Sequence, residues 1–272
     1  MHDLAVSSEL QAAVRSAAFL CADAAAEATL PHFRTAGLVA DNKLDGDYDP
    51  VTVADRNAEI AIRQVLAEHR PDDAIIGEEL DDQTGTSGVV WVIDPIDGTR
   101  GFVSGTPTWG TLIAAGTKDG PQFGIIDQPY IKDRFVGGFG EAWCDGPMGR
   151  VPLRTRAPRD LSQATVFTTF PEVGTTKEQA AFHTVADQAQ LVRYGMDCYA
   201  YALLAGGHID LVIEAGLNSY DIQAPIAVVQ AAGGIVTDWS GEAAHHGGRA
   251  IAAANAEIHA QALAILKDCM NG

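Results

Sequence analysis

The segment WVIDPIDGTR, residues 91–100, restricts the fold more than any other stretch of this sequence. The apolar run VVWVID at 89–94 reads as a buried strand that delivers Asp94 at its end. Pro95 stiffens the turn, and Asp97 follows three residues later with Gly98 and Thr99 behind it. Two carboxylates so close in apolar surroundings repel each other and are costly to ionise unless a cation lies between them. Hard divalent cations prefer carboxylate, carbonyl and water oxygens, and the Ile96 carbonyl lies between the two acids as a third candidate ligand. Gly98 lets the backbone approach a ligand closely, and the N–H groups of Gly98 and Thr99, if they open a helix, would meet a phosphate. A lone pair of acids at this spacing is more often a solvated turn capping a helix, so the reading needs partners.

Three other segments supply them. Glu78 and Glu79 follow the apolar run AII at 74–76 and Gly77, so a second strand also ends in carboxylates, where open α/β sheets place their sites. DPVTVAD at 49–55 sets Asp49, Thr52 and Asp55 just ahead of a helix, with Asp55 expected to act only as a cap. Asp221 follows Tyr220 at the start of a helix that ends in AAGG.

The chain can hold a substantial core: it has 272 residues, of which 47% are hydrophobic and 20% charged. With 18 basic against 36 acidic residues its formal charge is -18, which repels phosphate backbones and anionic lipid, so neither nucleic acid nor a membrane is an expected partner. A small anionic substrate requires a local cation. Cys21, Cys144, Cys198 and Cys269 lie far apart with no CxxC pair, and no apolar run reaches membrane-helix length; both suit a cytoplasmic protein.

Helices are expected over 4–30, with Leu4, Leu10, Val14, Ala17, Leu20 and Cys21 on its apolar face, and over 55–69. Strands are expected at 74–76, 89–94, 111–115, 123–127 and 134–140. RVPLRTRAPRD at 150–160 reads as a connection between two subdomains, about 1–150 and 151–272. Beyond it strands and helices alternate: strand 164–170, helix 177–189, strand LVRYG, helix 197–206, strand IDLVIEAG, helix 221–232, strand GIVTDW and a last helix after Asn255. That alternation implies layered sheets covered by helices.

DPVTVAD, GEE, WVIDPIDGT and YDIQAPIAVVQAAGG, in this order, resemble the inositol monophosphatase family of magnesium-dependent, lithium-sensitive phosphomonoesterases, and the match runs through nearly the whole chain. TRGFVSGTPTWGTLIAAG, GIIDQPYIKDRFVG and DCYAYALLAGGHIDLVIEAGLNSYD look most like its histidinol-phosphate phosphatase branch. The resemblance implies a layered α/β, α+β fold, an αβαβα sandwich forming one phosphatase unit, usually a homodimer. It implies metal ligation by Glu78, Asp94, the Ile96 carbonyl, Asp97 and Asp221 for two or three Mg²⁺ per subunit. Asp49 and Thr99, with Glu78, match the catalytic positions around the attacking water, and Asp97, Gly98 and Thr99 match the phosphate side of the substrate site. Gly195, Met196, Asp197, Glu214 and Asp221 match its leaving-group side, while Glu79 matches a nearby acid that is usually not a ligand. Pro225 departs from the pattern and requires the helix after Asp221 to start close to it.

The implied activity is hydrolysis of a small phosphorylated metabolite, L-histidinol phosphate in histidine biosynthesis. The alternatives are an inositol-1-monophosphatase or broad sugar-phosphate phosphatase, and a catalytically silent metal-binding or regulatory relative. No GxSxG elbow, Walker A loop or HExxH motif offers another chemistry. Cys198, beside Asp197, is a poor nucleophile candidate, Tyr199, Tyr201 and Trp109 read as packing residues, and His245 and His246 as turn residues.

Overall fold

The computed structural model describes residues 7–35, 40–42 and 50–272. Helix α1 (Ser8–Thr29) starts where the Ser7 hydroxyl accepts the Leu10 N–H at 3.0 Å. It buries a stripe of small residues, Val14, Ala17, Ala18, Cys21, Ala22 and Ala25, and packs along α2 (Val53–His69). Leu20 departs from expectation: it is 40% exposed, because the short side chains of Ala17, Ala18 and Cys21, not the longer leucine, form the contact stripe. Strands β1 (Ala40–Asn42) and β2 (Pro50–Thr52) form a small antiparallel pair ahead of α2.

A seven-stranded sheet follows in sequence order: β3 (Ala74–Gly77), β4 (Val90–Asp97), β5 (Gly110–Thr117), β6 (Gly120–Gln128), β7 (Asp133–Gly138), β8 (Glu141–Gly146) and β9 (Gly149–Pro152). β3 and β4 are parallel and every later pair is antiparallel. Helix α3 (Thr99–Ser104) interrupts it after β4. The second sheet has the order β11-β10-β12-β14-β13, from β10 (Thr165–Thr168), β11 (Leu191–Tyr194), β12 (Leu211–Leu217), β13 (Ile235–Thr237) and β14 (Gly248–Ala253). Its helices are α4 (Thr176–Ala186), α5 (Asp197–Ala205), α6 (Ser219–Ala231) and α7 (Ala256–Asn271).

Three buried clusters mark how these pieces stack. One joins α1 and α2 to Trp91, Ile93, Ile113 and Ile125 on one face of the seven-stranded sheet. The second joins Val92, Leu112, Ala114 and Ile126, on the opposite face by the two-residue period of a strand, to α5, α6 and the second sheet. The third joins the far face of that sheet to α4 and α7. Helix pair, sheet, helix pair, sheet, helix pair is an αβαβα sandwich, as expected.

Helix α6 lies close against the first sheet because Gly124 and Gly137 face it; a Cβ on either would meet the Ala224 carbonyl at 2.6 Å or the Val228 Cα at 2.5 Å. Pro225 is not in the first helical turn. α6 begins at Ser219, six residues earlier, and Pro225, lacking an N–H, cannot donate to the Asp221 carbonyl one turn back. The stretch read as a connection from residue 150 first completes β9, since Val151 and Pro152 pair with Cys144 and Trp143 of β8.

Candidate active site

Residues 94 and 97 are an odd number of positions apart, so a regular strand would send their side chains to opposite faces. β4 avoids this with a bulge: Asp94 pairs with Leu112 and Asp97 with Gly110, three steps on one strand against two on the other. Pro95 sits at this bulge, its carbonyl taking the Thr111 hydroxyl at 2.8 Å. The bulge brings both carboxylates to one side. Asp221 joins them from the first turn of α6, and oxygens of Asp94, Asp97 and Asp221 all lie within 4.8 Å of one another.

Each acid is also tethered to backbone. The Asp94 Oδ1 accepts the Ile96 N–H at 3.0 Å, and the Asp221 Oδ2 accepts the Asn218 N–H at 2.6 Å in a capping box, so Asp221 is the third helical residue and Asn218 the N-cap. The Asp97 Oδ2 accepts the Cys198 N–H at 2.6 Å, which ties the end of β4 to the first turn of α5. Burial first, then Glu78, Asp97 and Asp221, push the Asp94 carboxyl well above the usual carboxylate range. Burial, then Asp197 and Asp221, do the same to Asp97. Such a cluster holds all its charge only when a cation compensates it, and carboxylate and carbonyl oxygens are the donor set of a hard divalent metal. The residues present therefore fit a site for a hard divalent cation.

Glu78 lies just beyond β3 in the same cleft as Asp94. Glu79 is not among the residues lining that cleft, and its backbone N–H donates to the Glu59 Oε2 at 2.7 Å. Thr99 opens α3; its hydroxyl lies 3.0 Å from the Ile96 carbonyl and 3.3 Å from the Asp55 Oδ1. Asp55 was expected only to cap α2. It does close a capping box, accepting the Thr52 N–H and hydroxyl at 2.8 and 2.6 Å, but its other oxygen faces Thr99. Asp49 lies outside the described residues.

The cleft, about 300 Å³, is lined by this cluster together with Gly98, Thr99, Arg100, Phe170, Asp197, Tyr201 and Glu214. Asp197 has φ 45°, and no side chain caps α5. Instead the Thr108 hydroxyl donates to its Oδ2 at 3.2 Å, and burial, opposed by Thr108 and Arg100, pushes its carboxyl up to about 6. A Cβ on Gly98, itself at φ 80°, would fall 2.8 Å from the Asp197 Cβ and Cγ. Glu214 Oε1 takes the Thr169 N–H and hydroxyl at 2.7 and 2.9 Å and its Oε2 the Thr168 hydroxyl at 3.1 Å, yet burial still pushes it to about 7. Arg100 lies over the Phe170 ring at 4.9 Å. Gly195, at φ 75°, and Met196 form the bend into α5; neither lines the cleft, so they reach it only through Asp197.

Trp109 packs as expected, among Phe33, Phe102 and Ile96, and the Tyr199 hydroxyl donates to the Asp133 Oδ2 at 2.8 Å. Burial and Asp97 push the Cys198 thiol up, which agrees with its poor standing as a nucleophile. The His245 and His246 rings lie 4.0 Å apart and tilted by 47°, outside the cleft. Tyr201 packs in the core as expected, 3% exposed, and also borders the cleft. Sequence reasoning also passed over Arg100, Phe170 and the two threonines that hold Glu214.

The sequence model described as "Inositol monophosphatase family" matches residues 10–271. The bifunctional phosphatase IMPL2, chloroplastic, of Arabidopsis thaliana is 39% identical over 257 residues, covering 90% of this chain and 72% of that protein. A histidinol-phosphatase of Mycobacterium tuberculosis is 34% identical over 249 residues, covering 90% and 95%. Among solved structures, an inositol monophosphatase from Zymomonas mobilis superimposes with a TM-score of 0.83 at 36% identity, covering 96% of this chain and all of that one.

Proposed function

The chain belongs to the inositol monophosphatase family, whose members are phosphatases, and from that premise we propose that it is a magnesium-dependent phosphomonoesterase that converts L-histidinol phosphate to L-histidinol in histidine biosynthesis. The observation that carries the reading is the convergence of Asp94, Asp97 and Asp221 in a cleft that Asp197 and Glu214 also line.

Glu78, Asp94, the Ile96 carbonyl, Asp97 and Asp221 would hold two or three Mg²⁺. When bound, the ions neutralise phosphate oxygens, raise the acidity of water and stabilise the leaving alkoxide. The chain's own residues orient the reactants. No side chain among the described residues caps α3, whose first residues, Thr99 and Arg100, border the cleft, so their N–H groups would serve as donors for the phosphate beside Gly98. The Thr99 hydroxyl has one proton for two nearby acceptors, and its lone pairs can accept from the attacking water, with Asp49 as the second acceptor. In-line displacement at phosphorus then expels the alcohol toward Asp197 and Glu214, with Gly195 and Met196 forming the bend that carries Asp197.

Histidinol phosphate carries an ammonium group and an imidazole, so two carboxylates on the leaving-group wall reward it by charge-assisted hydrogen bonding more than they reward an uncharged ring. The 34% identical histidinol-phosphatase supports the same choice. The solved Zymomonas mobilis relative favours a second reading, an inositol-phosphate phosphatase on the same metals. On the family resemblance we also propose a homodimer, in a cytoplasmic setting. Steady-state hydrolysis of histidinol phosphate, inositol 1-phosphate and an aryl phosphate, with Mg²⁺ and with EDTA, tests the proposal. A kcat/KM for inositol 1-phosphate equal to or above that for histidinol phosphate would reject the substrate, and activity undiminished in EDTA would reject the metal.

A further inference from the structure

Tyr201 stands four residues after Asp197 on α5; Asp197, at φ 45°, is not in helical conformation, yet both residues line the cleft. Its ring is buried between the two sheets, with 3% of the residue exposed. The hydroxyl is buried too, and has no hydrogen-bond partner among the described residues. A phenylalanine would fill the same space without stranding a polar atom, so packing alone does not account for a tyrosine here.

The surroundings say what would complete it. Burial first, then the carboxylates of Glu214, Asp97 and Asp221, keep the phenol protonated. Glu214 already accepts three hydrogen bonds from Thr168 and Thr169, and Asp97 and Asp221 are tied to backbone N–H groups. Tyr201, Asp197 and Glu214 thus line one cleft as oxygen acceptors in a region of net negative charge. A primary ammonium has three N–H donors and a positive charge, which matches three such acceptors; a neutral hydroxyl brings one donor and no charge.

We propose that Tyr201 is a specificity-determining residue whose hydroxyl contacts the ammonium group of an amine-bearing phosphate monoester, completing with Asp197 and Glu214 a three-acceptor cradle. The inference rests on the phosphatase reading above and deepens it by naming the group on the substrate that is recognised.

The test compares the Mg²⁺-loaded parent with Tyr201→Phe on 2-aminoethyl phosphate and ethyl phosphate, which differ in the amine. The parent should favour the amine, and Tyr201→Phe should cut the ratio of the two kcat/KM values by about five-fold or more. An unchanged ratio, or a parent that does not favour the amine, overturns the inference and leaves the phosphatase reading standing. A parent that hydrolyses neither ester, nor an aryl phosphate, rejects that reading and the inference with it. Thermal melting of the metal-free proteins is the second measurement. Since the hydroxyl has no partner inside the fold, Tyr201→Phe should melt no lower than the parent, and a fall of more than about 2 °C would show the hydroxyl to be a structural group and overturn the inference.

Discussion

Gly98 and Asp197 make a contact whose removal has a calculable consequence. Gly98→Ala places a methyl 2.8 Å from the Cβ and Cγ of Asp197, which are the stem of that side chain and not its mobile end, so rotation alone cannot clear it. The alanine must also adopt φ 80°, a left-handed conformation costing an L-residue about 1–2 kcal/mol. Relief requires the bend at 195–197 to retreat, which pulls the Cys198 N–H away from the Asp97 Oδ2, now 2.6 Å apart; a hydrogen bond to a charged group contributes about 1.5–3 kcal/mol. The whole effect is then about 2.5–5 kcal/mol. In an Asp197→Gly background the obstructing stem is gone and only the left-handed cost, about 1–2 kcal/mol, remains. Urea unfolding of the parent, both single variants and the double variant, in EDTA so that bound metal does not mask the difference, measures the coupling. It should be about 1.5–3 kcal/mol, well above the roughly 0.5 kcal/mol scatter of independent sites. Additivity within that scatter would refute the claim that Gly98 is glycine because Asp197 occupies the space of its side chain.

Asp94→Asn keeps the shape of a cluster member and removes its charge; kcat should fall by about a hundred-fold or more, and near-normal turnover would contradict a metal role for Asp94. Asp197→Asn should lower the ratio of kcat/KM for histidinol phosphate to that for an aryl phosphate by about ten-fold, whereas equal losses on both would assign Asp197 a purely structural part. Burial raises the carboxyls of Asp94 and Asp97 above their ordinary range, Asp197 to about 6 and Glu214 to about 7, so the folded chain binds more protons than the unfolded one between about pH 4 and 7. Stability of the metal-free protein should therefore fall as pH rises through that window, followed as Tm in EDTA; a Tm that rises from pH 5 to 8 would contradict the burial of these acids. Mg²⁺ at about a hundred times its Kd should restore about 2.7 kcal/mol at the alkaline end, read as a higher Tm.

The elements legible in the sequence are those whose own side chains decide their state. β4 and β6 contain short apolar runs, VWVI and FGII, and α2 and α7 carry apolar residues at helical spacing ahead of a proline or after an asparagine cap. β9 and β14 escaped because their identity lies in their partners: GRVP has no apolar alternation of its own, and RAIAA is mostly alanine, a weak strand former, yet both are held by ladders to β8 and to β12 and β13. The acids followed the same division. Asp94, Asp97, Glu78 and Asp221 stood out because each ends a strand or opens a helix, a local property. That Asp97 is anchored by a backbone N–H 101 positions away, or that the Tyr201 hydroxyl emerges beside Glu214, depends on how α5 docks between two sheets. No local pattern carries that information. The bulge at Pro95 lies between these cases: the odd spacing of Asp94 and Asp97 was visible, and two acids meant to share one cation could reach a common face only if the strand gained a residue between them.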